Sequence, residues 1–155
     1  MFGIEVVTRE LQSLAKRIAE NIRRNGQTAS GRSERSLVVE ETGDTVTLYG
    51  RRYFQSLERG TPPLGDRIQI LPFAHILHRW AMDKGISFSD DRERWSFAFA
   101  LAKKIKREGS ALYRDGGRSD VYSNEIPKTL ESINQSLAAT LAMRVMEGIE
   151  INKPQ

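Results

Sequence analysis

Val7, Leu11, Leu14, Ala15, Ile18 and Ile22 recur three and four residues apart, with Arg9, Lys16, Arg17, Glu20 and Arg24 between them. This is the period of a helix with one apolar side, and it predicts a helix from about residue 5 to 24. Asn25-Gly26 supplies the stop, because either residue tolerates the left-handed conformation just past a helix end. Gln27 to Glu34 is small and polar and reads as a loop. The period then drops to two. Leu37-Val38-Val39-Glu40-Glu41 and Thr45-Val46-Thr47-Leu48-Tyr49 are rich in β-branched residues and flank Thr42-Gly43-Asp44, which predicts a β-hairpin over about 36–50. Two strands alone are marginal, so the hairpin is expected to pack on the first helix and to gain further strands. Gly148 to Asn152 alternates and is the candidate C-terminal strand, at about 148–152.

Tyr53, Phe54 and Leu57 give a short helix over about 53–59, closed by Gly60 and blocked by Pro62-Pro63. Pro72 suits the first turn of a helix over about 72–84, with Phe73, Ile76, Leu77, Trp80 and Ala81 inward. Asp90 followed by Glu93 has the spacing of a capping box and opens a helix over about 91–108, with Trp95, Ala98, Phe99, Ala102 and Ile105 inward. Residues 109–124 hold three glycines and no sustained period, so they read as a long loop that is functional or mobile. Beyond it, Ile126, Leu130, Ile133, Leu137, Leu141 and Val145 define an amphipathic helix over about 126–147. The class is α+β: a long N-terminal amphipathic helix on a small antiparallel sheet with additional helices, in a single domain over 1–155.

Composition changes this picture little. Hydrophobic residues at 39% and charged residues at 28% fit a soluble globular chain. No apolar run approaches the ~18–20 residues that cross a bilayer. The N-terminus lacks the basic and apolar regions of a signal peptide, so the protein is expected to be made and kept in a cytoplasm. With no cysteine there is no disulfide framework, thiolate nucleophile or Cys-based zinc site. The net charge of +4 is too mild to establish nucleic-acid binding.

The residues offer little chemistry. His75 and His78 lie three apart on one predicted helix, but no third ligand and no His-Glu-x-x-His pattern accompanies them, so no metal site is assigned. No serine sits in a Gly-x-Ser-x-Gly elbow, and the glycines form neither a dinucleotide-binding nor a phosphate-loop pattern. Asp90, Asp91 and Glu93 are acids favoured by a helix N-terminus. The expectation is a protein that is not an enzyme and takes no cofactor. Arg23-Arg24, Arg51-Arg52 and the Lys103 to Arg107 run are interspersed with acids, as on a solvated face or across subunits. Trp80, Trp95 and Phe99 lie at core spacing, whereas Phe97 falls off the stripe and is a candidate interface anchor.

Two motifs bracket the hairpin. Ser30-Gly31-Arg32-Ser33-Glu34-Arg35-Ser36-Leu37 precedes it, and Tyr53-Phe54-Gln55-Ser56-Leu57-Glu58-Arg59-Gly60-Thr61 follows it. Behind an amphipathic helix, this order resembles the small neck proteins of tailed bacteriophages, the siphophage-type head-tail connector and tail-completion proteins. In that family a helix leads to a Thr-Gly-x-Leu-x-x-Ser-Ile-like turn, then a hairpin, then a Tyr-x-x-x-x-Glu-x-Gly-Thr element. Ser30-Gly31 stands at the Thr-Gly, Ser36-Leu37 at the Ser-Ile, and Tyr53, Glu58, Gly60 and Thr61 match the second element position by position. The chain departs in carrying Ser33 at the Leu and in lacking a preceding Pro-Val-Asp. Trp80 to Gly85 and Lys104 to Gly109 also look like a variant seen in phages and prophages, so the similarity spans about residues 5–125.

The resemblance implies a virion structural protein, assembled in the bacterial host cytoplasm, that forms a homo-oligomeric ring at the capsid-tail junction. Its neighbours would be a portal or adaptor protein on one side and tail or other neck proteins on the other. Genome DNA would pass through the lumen without sequence-specific binding, and no membrane is involved. A ring requires a head-to-tail interface repeated about an axis. Candidate interface residues are Phe97 and, on the 109–124 loop, Tyr113, Arg114, Arg118 and Tyr122. The motif residues have a reading without the family. Gly31 and Gly60 permit backbone conformations that a side chain obstructs, Thr61 fixes the turn before the prolines, and Glu58 accepts backbone amides or pairs with an arginine. The competing class is a nucleic-acid-associated regulatory or binding module from a mobile element.

Overall fold

The computed structural model describes residues 3–151, with side chains to residue 149. The first helix, α1, is Ile4–Arg24, and Gly26 (φ 65°) turns the chain out of it. A four-residue helix, α2, Arg32–Arg35, occupies part of the expected loop and leads into strands β1 Val38–Thr42 and β2 Thr45–Tyr49. These pair antiparallel with Val39 opposite Leu48 and Glu41 opposite Val46, so Gly43 and Asp44 alone make the turn. Gly43 has positive φ and Asp44 does not, the pattern of a two-residue hairpin with glycine in the first central position. The face carrying Val39 and Glu41 lies on α1, where the Thr8 hydroxyl donates to Glu41 Oε1 at 2.5 Å.

A short helix α3, Ser56–Arg59, follows, then a 3₁₀ turn at Gly65–Arg67, α4 Ile70–Asp83, α5 Asp91–Glu108, a short α6 Ala111–Arg114, and α7 Glu125–Ile151. Pro72 lies in the first turn of α4, where its missing N–H would have had no helical partner. At the start of α5 the Glu93 amide donates to Asp90 Oδ1 at 2.7 Å. The Glu93 carboxylate in return accepts the Ser89 amide (2.7 Å) and hydroxyl (2.6 Å), one residue ahead of the usual capping-box partner. Those two donors hold the Glu93 carboxyl below its ordinary value.

Two apolar clusters form. α4 and α5 enclose Ala74, Leu77, Ala98, Ala102 and Ile105, with Phe73, Trp95 and Phe99 packed against them. The other unites Leu14, Ile18 and Ile22 of α1 with Val121, flanked by Leu37, Leu48, Phe54, Leu57 and Tyr122. Ile76, expected inward, is exposed, because Ala74, Leu77 and Ala81 form the buried side of α4. Polar contacts join the clusters. Lys84 Nζ, just past α4, donates to the carbonyls of Gly26 and Thr28, just past α1.

Two expectations fail. The stretch expected as a third strand is helix through Ile151, with Asn152 outside the described residues, so the sheet has two strands among the described residues and both outer edges are open. Apolar alternation at Gly148 to Ile151 is compatible with the end of a helix whose apolar residues lie all round it, as those of α7 do from Leu141 onward. The segment 109–124 is a folded crossing, and Gly109 and Gly117 serve close packing of backbone on backbone, while Gly116 stands in open space.

Candidate assembly site

Glu58, in the four-residue helix α3, is 3% exposed. Its Oε1 accepts the backbone amides of Val121 (3.1 Å), Tyr122 (2.7 Å) and Ser123 (2.9 Å), while Oε2 accepts the Ser123 hydroxyl at 2.5 Å. The Glu58 carbonyl also accepts the Arg118 amide at 2.8 Å. A buried carboxylate is tolerated only where donors replace its water, and here one turn of backbone supplies them. Successive amides converge on one anion much as they do at the start of a helix, and α7 begins two residues after Ser123.

Thr61 and Ser110 bond reciprocally, the Ser110 amide to the Thr61 carbonyl at 2.8 Å and the Thr61 amide to Ser110 Oγ at 2.9 Å. Three glycines let the two segments cross at this distance. A Cβ on Gly60 (φ 71°) would drive into the Tyr113 amide nitrogen and Ser110 Oγ, one on Gly109 would sit 2.8 Å from the Thr61 carbonyl oxygen, and one on Gly117 2.7 Å from that of Glu58. The Glu-x-Gly-Thr element thus clamps residues 109–123 against α3.

The motif ahead of the hairpin acts locally. Gly31 (φ 73°) starts α2, and Ser30 accepts Arg32 through its hydroxyl and Arg35 through its carbonyl. Ser36 Oγ donates to the Ser33 carbonyl at 2.7 Å and accepts the Arg51 amide at 3.1 Å, tying the entry of the hairpin to its exit. Tyr53 stands apart from these residues, 74% exposed.

The candidate interface residues divide. Arg118 binds Asp120 with two nitrogens (2.6 and 2.9 Å), a pairing that holds the Asp120 carboxyl below its ordinary value. Arg114 donates to the Gly109 carbonyl at 2.7 Å. Tyr122 is half-buried on Phe54 with ring centroids 5.9 Å apart, and burial, then the Glu58 charge, raises its phenol pKa. Phe97 is half-buried against Phe88 at 5.3 Å, on the α4–α5 side of the molecule. Tyr113 is exposed. His75 and His78 both lie on Trp95, and His78 Nε2 is 2.8 Å from Asp91 Oδ1, which lowers the Asp91 pKa. Among the described residues no cluster of histidine and acidic side chains has the makings of a metal site, and no helix is long and apolar enough to cross a membrane.

The surface of α7 departs from what the hydrophobic pattern predicts. α7 runs antiparallel to α1, and its polar side is the one that packs. Arg17 donates to Glu125 Oε2 at 2.9 Å and to Thr129 Oγ1 at 2.7 Å, Ser132 donates to Glu10 at 2.8 Å, and Thr129 is 2% exposed. The expected apolar stripe is divided: Ile133 and Leu137 are half-buried, Leu137 beside Gly3 at the start of α1, whereas Leu130 is 57% exposed and Ile126, Leu141 and Val145 are also exposed. The reason lies in α1, whose apolar side is occupied by the hairpin. The available signal was a second stripe at helical spacing, Glu125, Thr129, Ser132, Ser136 and Thr140, of small polar residues suited to a close helix contact. From Leu141 to Ile149 every side chain is exposed, and only Arg144 and Glu147 among them are charged. A helix apolar all round is normally buried. Ile126 also lines an apolar groove of about 320 Å³ floored by Leu14 and Ile18 of α1 and walled by Leu37, Leu48 and Phe54.

Compared with family models, curated proteins and solved structures, the chain has no significant match.

Proposed function

We propose that the protein is a virion structural component of the head-tail connector of a tailed bacteriophage or prophage. It assembles into a ring between the portal or capsid vertex and the tail, through which the genome passes. The observation that carries this reading is the uncovered apolar stripe of α7. A chain that leaves Ile126, Leu130, Leu141, Val145 and Ile149 exposed along one helix has surface made for a protein partner. Open strand edges on both sides of the hairpin add a second means of association. The order of helix, Ser-Gly turn, hairpin and Glu-x-Gly-Thr element supports the neck assignment within the wider class of assembly proteins.

The nucleic-acid-binding alternative draws less support. Arg17, Arg94, Arg107 and Arg118 are engaged with carboxylates, which disperses the basic charge that a phosphate footprint would concentrate. Deleting the gene from the phage that carries it should yield filled heads and separate tails that fail to join, with joining restored by supplying the chain in trans. Normal joined particles in the deletion would refute the assignment.

A further inference from the structure

We infer that α7 is a donor arm: its distal segment, Leu141 to Ile149, docks in the groove between the hairpin and the start of α7 on a second copy of this chain. The inference deepens the assembly reading and rests on it.

Two uncovered apolar surfaces on one chain need occupants. The arm offers Leu141, Met143, Val145, Met146 and Ile149, all more than half exposed, Met146 at 63%. The groove offers the exposed Ile126 and the half-buried Leu37, Leu48 and Phe54 over a floor of the buried Leu14 and Ile18, and it is open to solvent above α1. Removing apolar side chains from water is favourable in proportion to the area covered, so an apolar arm and an apolar groove suit each other. They cannot meet within one copy. Ile126 borders the groove and Leu141 begins the arm on the same continuous helix, about 22 Å apart at ~1.5 Å per residue. The rigid helix that carries the arm away from its own groove delivers it to a neighbour's.

Charge sets the orientation. Arg51 and Arg52 border the groove, both exposed and without a carboxylate partner among the described residues. Glu147 is the single acid between Leu141 and Ile149 and is exposed. Seating the arm brings Glu147 toward the two guanidiniums. Each copy gives its arm to one neighbour and receives an arm from another, so the proposed contact is head-to-tail, the kind that propagates and closes into a ring; a double variant that stops at a doubly cross-linked dimer overturns this.

The absence of cysteine makes disulfide trapping selective. Met146→Cys places a thiol on the arm and Tyr49→Cys places one at the groove rim, both at exposed positions that leave the core intact. Under mild oxidation the mixture of the two full-length single variants should give a cross-linked dimer, and the double variant a ladder of oligomers. Arg52→Glu should cut the cross-linked yield several-fold, and Glu147→Arg on the other copy should restore it. Met146→Cys pairing mainly with itself, or no cross-link in the mixture, overturns the arm-in-groove contact; a yield indifferent to Arg52→Glu overturns its orientation. A ladder from a chain whose deletion leaves particles normal would sink the connector reading alone, whereas unjoined heads and tails without a ladder would sink the arm contact alone.

Discussion

Glu58 is a single side chain that holds a full turn of distant backbone. One buried carboxylate orders three consecutive amides and a hydroxyl from 63 to 65 positions away, so it pins the start of α7 to the end of the hairpin module. Glu58→Ala should cost on the order of 3–5 kcal/mol in chemical denaturation, since each amide left buried and unpaired is expensive. Glu58→Gln keeps a carbonyl oxygen for the amides and should cost less, and hydrogen exchange at Val121 to Ser123 should rise in both variants. Equal and small losses would show that water satisfies these amides. Glycines separate conformation from space. Gly60→Ala meets the Tyr113 backbone and should cost more than about 3 kcal/mol, whereas Gly85→Ala, also at positive φ but with open space around it, should cost only the left-handed penalty of ~1–2 kcal/mol. Thermal unfolding of the two variants side by side checks the difference. At this scale the sequence was informative about type and silent about partner. A Glu-x-Gly-Thr element suggested a carboxylate for amides and a glycine for a tight backbone, but nothing local to residues 58–61 points to 110, 113 or 121–123, because those contacts exist only after the chain has crossed itself.

Among elements, the helices and the hairpin were legible because period and breakers agree: Asn25-Gly26 ends α1, Asp90 caps α5, and Gly43 turns the hairpin. The segment 109–124 was not, since its order comes from contacts with α3 and from close glycine packing that have no periodic signature. α7 was legible as a helix and only partly as to its buried side: Ile133 and Leu137 are half-buried, but polar pairing with α1 leaves Ile126, Leu130, Leu141 and Val145 outside. That pairing has a pH signature. Lys128, 3.0 Å from Oε1, and Arg17, 2.9 Å from Oε2, hold the Glu125 carboxyl below its ordinary 4.5. A carboxylate whose folded pKa is depressed contributes stability above its unfolded pKa, and that contribution is lost as pH falls through the folded value. Stability should therefore be flat in this contribution above about pH 4.5 and decline below it, with Glu125→Gln less stable near neutrality and shallower in its acid decline. Denaturant midpoints of the two proteins across the acid range test this, and parallel curves would remove Glu125 from the account.

For the whole molecule, the decisive property is that its interior is complete without the outer face of α7. The α4–α5 cluster and the buried centre of the other, Leu14, Ile18, Ile22 and Val121, are closed by packing, while the arm and the half-buried rim of the second cluster, Leu37, Leu48 and Phe54 beside the exposed Ile126, stay open to a partner. Leu141→Asp should accordingly leave the protomer's unfolding free energy within about 0.5 kcal/mol of the parent, as expected for a surface site, and abolish self-association measured by light scattering. Sequence pattern carried the family resemblance and the α+β class, and it could not reveal which apolar residues the finished fold would leave outside. A connector protein has one defining property, its place in the particle. Gold labelling of an epitope-tagged copy in purified tailed particles should mark a single position at the capsid-tail junction; particles that are joined, infectious and free of label would contradict it.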